Sequence, residues 1–171
     1  AYLLGGSPFL LDVAYGNGVY VAVGNSSAIQ TSSNGVNWST ASGSISANWR
    51  GITFMNGLFV AVGSNGYMMT SPDGSNWTTV TSGTSADLND VEAVDGLFLA
   101  MGYSGVMVSS ANGTSWSSLP AATSSTLKRI AYGNDLVVAV TTSRYVVTLD
   151  IISANTENAL IIQPTELIAL T

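Results

Sequence analysis

The sequence predicts an all-β fold, a β-propeller of four-stranded antiparallel blades, and three observations predict it. A turn ending in tryptophan occurs three times, and its tryptophans, Trp38, Trp77 and Trp116, are spaced 39 residues apart. A fixed period near forty with strand-like content is the signature of a propeller or a similar repeat array. Asn17-Gly18, Asn56-Gly57, Asp95-Gly96 and Asn134-Asp135 fall in the same register, each between apolar runs. Such pairs favour the type I′ hairpin, which needs positive φ at both central residues. After each pair comes an apolar β-forming run: Val19–Gly24, Leu58–Gly63, Leu97–Gly102 and Leu136–Thr141. Runs of this kind suit a strand buried on both faces.

The second repeat shows the elements most clearly. Gly51–Phe54 reads as an inner strand and Leu58–Val62 as the buried second one. Tyr67–Thr70 reads as the third strand, and the Ser71–Asn76 turn leads to the outer strand Trp77–Val80. A Ser/Thr/Gly-rich linker, Thr81–Asp87, reaches the next repeat, and no segment shows a helical period. The register gives one propeller domain over 1–150, with blades near 12–50, 51–89, 90–128 and 129–150. About four blades result, the last of them incomplete. It matches three strands and then lacks the turn and the tryptophan, carrying Ile151, Ile152 and Asn155 instead. Three candidates could fill its outer place: Tyr2–Leu4 by closure from the N-terminus, the tail at Ala159–Ile162, or a neighbouring subunit. The apolar extension 151–171 is expected to contact another subunit, because its Leu and Ile clusters would be costly to leave in water.

Composition narrows the function classes. Only 8% of the residues are charged and the net charge is −6, with four Lys or Arg. So few cations exclude a basic patch and make nucleic acid an unsuitable partner. There is no Cys and no His, so disulfides, thiolate metal sites and the commonest general base are absent. Neither a metal nor a cofactor is expected, nor is membrane insertion, since no apolar run reaches the length of a span. The chain starts at Ala1 without a basic leader, as expected of a processed chain or an excerpt of a longer one.

Four groups of residues are candidates for a role. In the turns, Ser32, Asn34, Gly35 and Trp38 correspond to Ser71, Asp73, Gly74 and Trp77, and to Ser110, Asn112, Gly113 and Trp116. There the Asx side chain is expected to cap the turn, Gly to supply positive φ, and the indole to pack between sheets. Asp12, Asp90 and Arg129 share the register position at the start of the inner strand, with Glu92 two residues after Asp90. They are expected to ring one mouth of the central channel, with Arg129 balancing Asp12 or Asp90. Paired carboxylates there could do acid/base chemistry only if their pKa values were split. Tyr103, Asn25, Ser64 and Asn65 sit in loops between the second and third strands and are candidates for ligand contact. Trp49 shares its register with Leu10, Leu88 and Leu127, which marks it as a core residue.

The Ser71–Trp77 turn resembles the Asp-box of bacterial neuraminidase repeats, with a loop one residue shorter. The longer pattern, GLFVAVG followed by TSPDGSNW, resembles repeats of tail- and fibre-associated proteins of tailed bacteriophages. It is also similar to the propeller of photosystem II assembly factors. These resemblances imply a non-enzymatic structural or adhesive module. The expected partners are other virion subunits, a second copy, or host-surface glycan. The expected location is the virion, or alternatively the bacterial extracellular surface as a lectin-like or assembly-factor propeller. Arg50, Arg129 and Arg144 raise the sialidase alternative, but their register positions do not form one constellation, and no catalytic residue is assigned.

Overall fold

The computed structural model describes residues 9–41, 45–143, 145–153 and 160–169, with backbone only for 150–153 and 160–169. The protein is an all-β propeller of about four blades, built from four antiparallel four-stranded sheets. Blade 1 is β1 (Leu10–Gly16), β2 (Val19–Gly24), β3 (Ile29–Ser32) and β4 (Ser39–Thr40). Blade 2 is β5 (Trp49–Met55), β6 (Leu58–Gly63), β7 (Tyr67–Ser71) and β8 (Thr78–Thr81). Blade 3 is β9 (Leu88–Val94), β10 (Leu97–Gly102), β11 (Met107–Ser110) and β12 (Ser117–Ser118). Blade 4 is β13 (Leu127–Gly133), β14 (Leu136–Thr141), β15 (Tyr145–Ser153) and β16 (Leu160–Ala169). Strands pair in chain order within each sheet, and β1, β5, β9 and β13 pack side by side as the inner strands.

Local chemistry explains the blade. Asn17, Asn56, Asp95 and Asn134 all take positive φ, as do the residues that follow them, so the first hairpin is a two-residue turn in every blade. Asn and Asp tolerate this conformation better than other non-Gly residues. The third hairpin is held by side chains. Gly74 N–H donates to Ser71 Oγ at 2.8 Å, and Ser75 and Asn76 N–H both donate to Asp73 Oδ1 at 2.8 Å. The Trp77 indole N–H closes on the Gly74 carbonyl at 3.0 Å. Blades 1 and 3 repeat this network with Asn34 and Asn112 as acceptors at 2.9 Å. An amide oxygen serves as well as a carboxylate because the turn asks only for an acceptor.

The interior consists of the junctions between neighbouring blades. Val21, Val23 and Ile29 of blade 1 meet Trp49, Ile52 and Phe59 of blade 2. Val60, Val62 and Met68 then meet Leu88, Val91 and Phe98, and Leu99, Met101 and Met107 meet Leu127, Ile130 and Val137. Trp49 is fully buried at the first junction, and its indole N–H has no hydrogen-bond partner among the described residues.

The fourth blade corrects one expectation and decides between three candidates. Its outer strand is β16, which pairs antiparallel with β15 from Tyr145↔Ala169 to Ser153↔Leu160. Ile151–Ser153 simply lengthens β15, so a blade ending at 150 with a separate extension is not what the chain forms. Of the three candidates for that sheet edge the tail takes it, through Leu160–Ala169, and Tyr2–Leu4 lie outside the described residues. Asn155, Ala159 and Arg144 also lie outside them. Apolar residues at 160–162 and 167–168, three of them β-branched isoleucines, suit a strand, and Pro164 is tolerated because β16 is an edge strand with a register shift there.

Candidate functional site at the channel

Each inner strand carries one extra residue near its start. The pairing slips between Leu10 and Asp12, Trp49 and Gly51, and Leu127 and Arg129, and β9 slips opposite Met101 and Gly102. The residues left out of register are Leu11, Arg50, Asn89 and Lys128. A β-bulge re-aims a side chain, and these four, with Arg129, line one recess of about 300 Å³ at the channel mouth. Three of the chain's four basic residues therefore meet at one place. The expectation that so few cations exclude a basic patch is corrected by this grouping; the three-arginine set includes Arg144, which lies outside the described residues.

The recess is internally braced. Arg50 pairs with Asp87 at 2.8 Å and donates to Asn89 Oδ1 at 2.7 Å. Asn89 in turn donates to the Leu127 carbonyl at 2.7 Å. The N–H of Asn65, foremost, and the Arg50 guanidinium hold Asp87 below the usual carboxylate range. Arg129 lies across the channel, its Nη1 within 3.3 Å of the Arg50 carbonyl and of Asp90 Oδ1, and its Nη2 3.5 Å from the Leu11 carbonyl. Lys128 is exposed at the rim.

Beyond Arg129 the channel turns acidic. A cleft of about 490 Å³ is lined by Asp12, Asp90, Glu92 and Arg129 among its polar groups. The two aspartates act as staples between blades. Asp12 Oδ2 accepts the Ile52 N–H at 2.8 Å, and Asp90 Oδ2 accepts the Ile130 N–H at 2.7 Å. Burial pushes Asp90 up, against the opposing pull of the Ile130 N–H and of Arg129. Burial also pushes Glu92 up, and its carboxylate accepts only the neighbouring Ala93 N–H, at 3.2 Å, among the described hydrogen bonds.

The loop candidates are placed elsewhere. Tyr103 is 58% exposed, Asn65 is exposed, and Asn25 and Ser64 are half-buried, each set on its own blade. None of the four lines the recess or the cleft. Their backbones brace the linkers: Asn25 N–H donates to the Phe9 carbonyl, Ser64 N–H to Asn48 and Tyr103 N–H to Asp87. Sequence reading missed Arg50, Asn89 and Lys128 as a set. The available signal was a polar residue recurring 39 apart, directly after a buried apolar one.

No family model and no curated protein match the chain. Among solved structures it is similar to one described as "YCF48 bound to D1 peptide", at 14% identity and a TM-score of 0.70, over 92% of this chain and 55% of that one. YCF48 from Cyanidioschyzon merolae is similar at 14% identity and 0.66, over 94% and 57% respectively. The computationally designed Ika4 protein matches at 13% identity and 0.64, over 82% and 90%. The chain thus spans little more than half the length of the two YCF48 chains. At these identities the likeness establishes the propeller fold.

Proposed function

We propose that the chain is a non-enzymatic structural and adhesive module of a tailed-bacteriophage particle, which engages acidic host-surface glycan at its channel mouth. The grouping of Arg50, Lys128 and Arg129 around one recess carries the ligand part of this reading. In a chain of net charge −6, cations gathered at a concave mouth favour a carboxylate-bearing ligand there. Arg50 and Arg129 are held in place by Asp87 and Asp90, so they are pre-organised, and Lys128 is exposed to meet a ligand. The two channel aspartates are engaged by backbone N–H groups of the next blade, which favours a scaffolding role for them over acid/base turnover. The repeat resemblance supports the virion location.

A glycan array carrying neutral and uronic- or sialic-acid sugars tests the reading. Retention on acidic sugars only, falling about tenfold in Lys128→Ala, is the expected outcome, because a hydrogen bond to a charged group that the ligand shields from water is worth about 1.5 kcal/mol. Equal retention on neutral sugars, or none on any glycan, refutes the acidic-glycan reading. Hydrolysis of a fluorogenic glycoside refutes the non-enzymatic one.

A second reading has its own support. One structurally similar propeller is described as bound to a peptide, and a peptide C-terminal carboxylate would suit the same recess. Binding of a free-carboxylate peptide but not of its amide would favour it over glycan.

A further inference from the structure

The three interior junctions are built from the same two half-surfaces. The forward half is Val21, Val23 and Ile29 in blade 1, and its register equivalents Val60, Val62 and Met68 in blade 2 and Leu99, Met101 and Met107 in blade 3. All nine are 0% exposed. Blade 4 carries the same half-surface as Val138, Val140 and Val146, yet Val140 is 44% exposed and the other two are only half-buried. The rear half behaves the same way at the other end. Ile52, Val91 and Ile130 are 4%, 1% and 8% exposed, whereas their equivalent Val13 is 57% exposed. Leu10 is 48% exposed, where Trp49, Leu88 and Leu127 are fully buried.

The turns report the same gap. A Cβ on Gly74 would meet Val21 of blade 1 at 2.6 Å, and one on Gly113 would meet Leu58 of blade 2 at 2.7 Å. A Cβ on Gly35 would meet nothing closer than Tyr20 of its own blade, at 3.9 Å. Trp38 stands 38% exposed over a groove of about 420 Å³ shared with Leu10, Val13 and Ala22. Among the described residues both end faces are thus open at once, and blade 4 does not cover blade 1.

We propose that the two open faces are the halves of a further junction formed with a second copy of this chain, head to tail. The rear face of blade 1 receives the forward face of the partner copy's blade 4. The occupant follows from continuity with the interior junctions, since the forward half needed by Leu10, Val13 and Trp38 is the half that blade 4 leaves uncovered. Apart from Asp12, the groove on blade 1 is lined by Leu10, Leu11, Val13, Ala22 and Trp38, the largely apolar lining that an obligate contact requires. A head-to-tail contact is heterologous and closes into a ring when the rotation allows. Two copies would make eight blades, within the range of propellers.

The experiment is a mass measurement by light scattering on the full chain and on two variants, Val13→Asp and Val140→Asp. Both sites are exposed in the single chain, so the variants keep their fold, which unchanged far-UV circular dichroism verifies. The expected mass is twice 17.6 kDa for the parent, falling to one chain in either variant. Mixing the variants should restore a two-chain species, because each retains the face that the other lacks. A parent that stays a single chain at every concentration overturns the proposal. So does an assembly that either variant leaves intact, or a mixture that fails to pair.

Discussion

Leu10 and Leu88 occupy the same place in blades 1 and 3, on the same strand and beside the same bulge. Leu88 is fully buried, while Leu10 is 48% exposed. Asp12 and Asp90 differ in a similar way: both line the cleft and accept an N–H from the following blade, but Asp90 is buried at 6% exposure and Asp12 is half-buried. The two blades are equivalent in local structure. They differ only in what stands behind them, since blade 3 has blade 2 at its rear and blade 1 has no sheet there among the described residues. Burial, and with it most of the energy of a side chain, is here a property of the junction rather than of the strand.

The largest test of this comparison is a matched pair of truncations. Leu88→Ala should cost about 3 kcal/mol, as expected for a fully buried leucine that leaves a cavity. Leu10→Ala should cost below about 1 kcal/mol in the single chain, as for an exposed site. Urea unfolding of both variants at low protein concentration reads the difference. Equal costs would break the comparison. A Leu10→Ala cost that grows with protein concentration would sharpen it, since Leu10 would then be covered by a second copy.

A smaller contrast lies between the two staples. Asp90→Ala strands the buried Ile130 N–H and should cost about 2 kcal/mol, near the middle of the range for a buried donor left unpaired. Asp12→Ala leaves the Ile52 N–H where cleft water can reach it, and should cost about 1 kcal/mol or less. Thermal melts of the two variants decide between them.

The smallest effect is electrostatic. Burial raises Glu92, so in the folded chain it holds its proton to a higher pH than in the unfolded chain. The folded state then binds more protons between the two pKa values, and stability falls as pH rises through that window. Glu92→Gln removes the charge, so the variant should match the parent in acid and be slightly more stable at neutral pH. Melting curves across the acid range check the sign. A neutral-pH loss of stability would mean that the Glu92 charge contributes a favourable contact and would overturn this sign.

Much of the site was legible only in part. Asp12, Asp90 and Arg129 were found by register, and their approach to one another across inner strands follows from that register. Arg50, Asn89 and Lys128 were not grouped with them. Period-two alternation assigns neighbouring residues to opposite faces, and a bulge breaks that rule by one residue. The loop candidates Tyr103, Asn25, Ser64 and Asn65 stand in equivalent loops and combine an aromatic ring with polar groups, but neither property says that they converge on one site.

The sequence by itself determined the blade: its period, its two-residue hairpins, its capped turns and its buried second strand. These depend on residues within a few positions of one another, where φ preference, Asx capping and alternation act. Tertiary structure alone decided which segment fills the fourth sheet, which bulged side chains meet at the channel and which faces stay open. Those outcomes depend on neighbours outside the local stretch, up to 39 or 40 residues away for the channel contacts, and equivalent repeat positions such as Leu10 and Leu88 differ in burial when such a neighbour is missing.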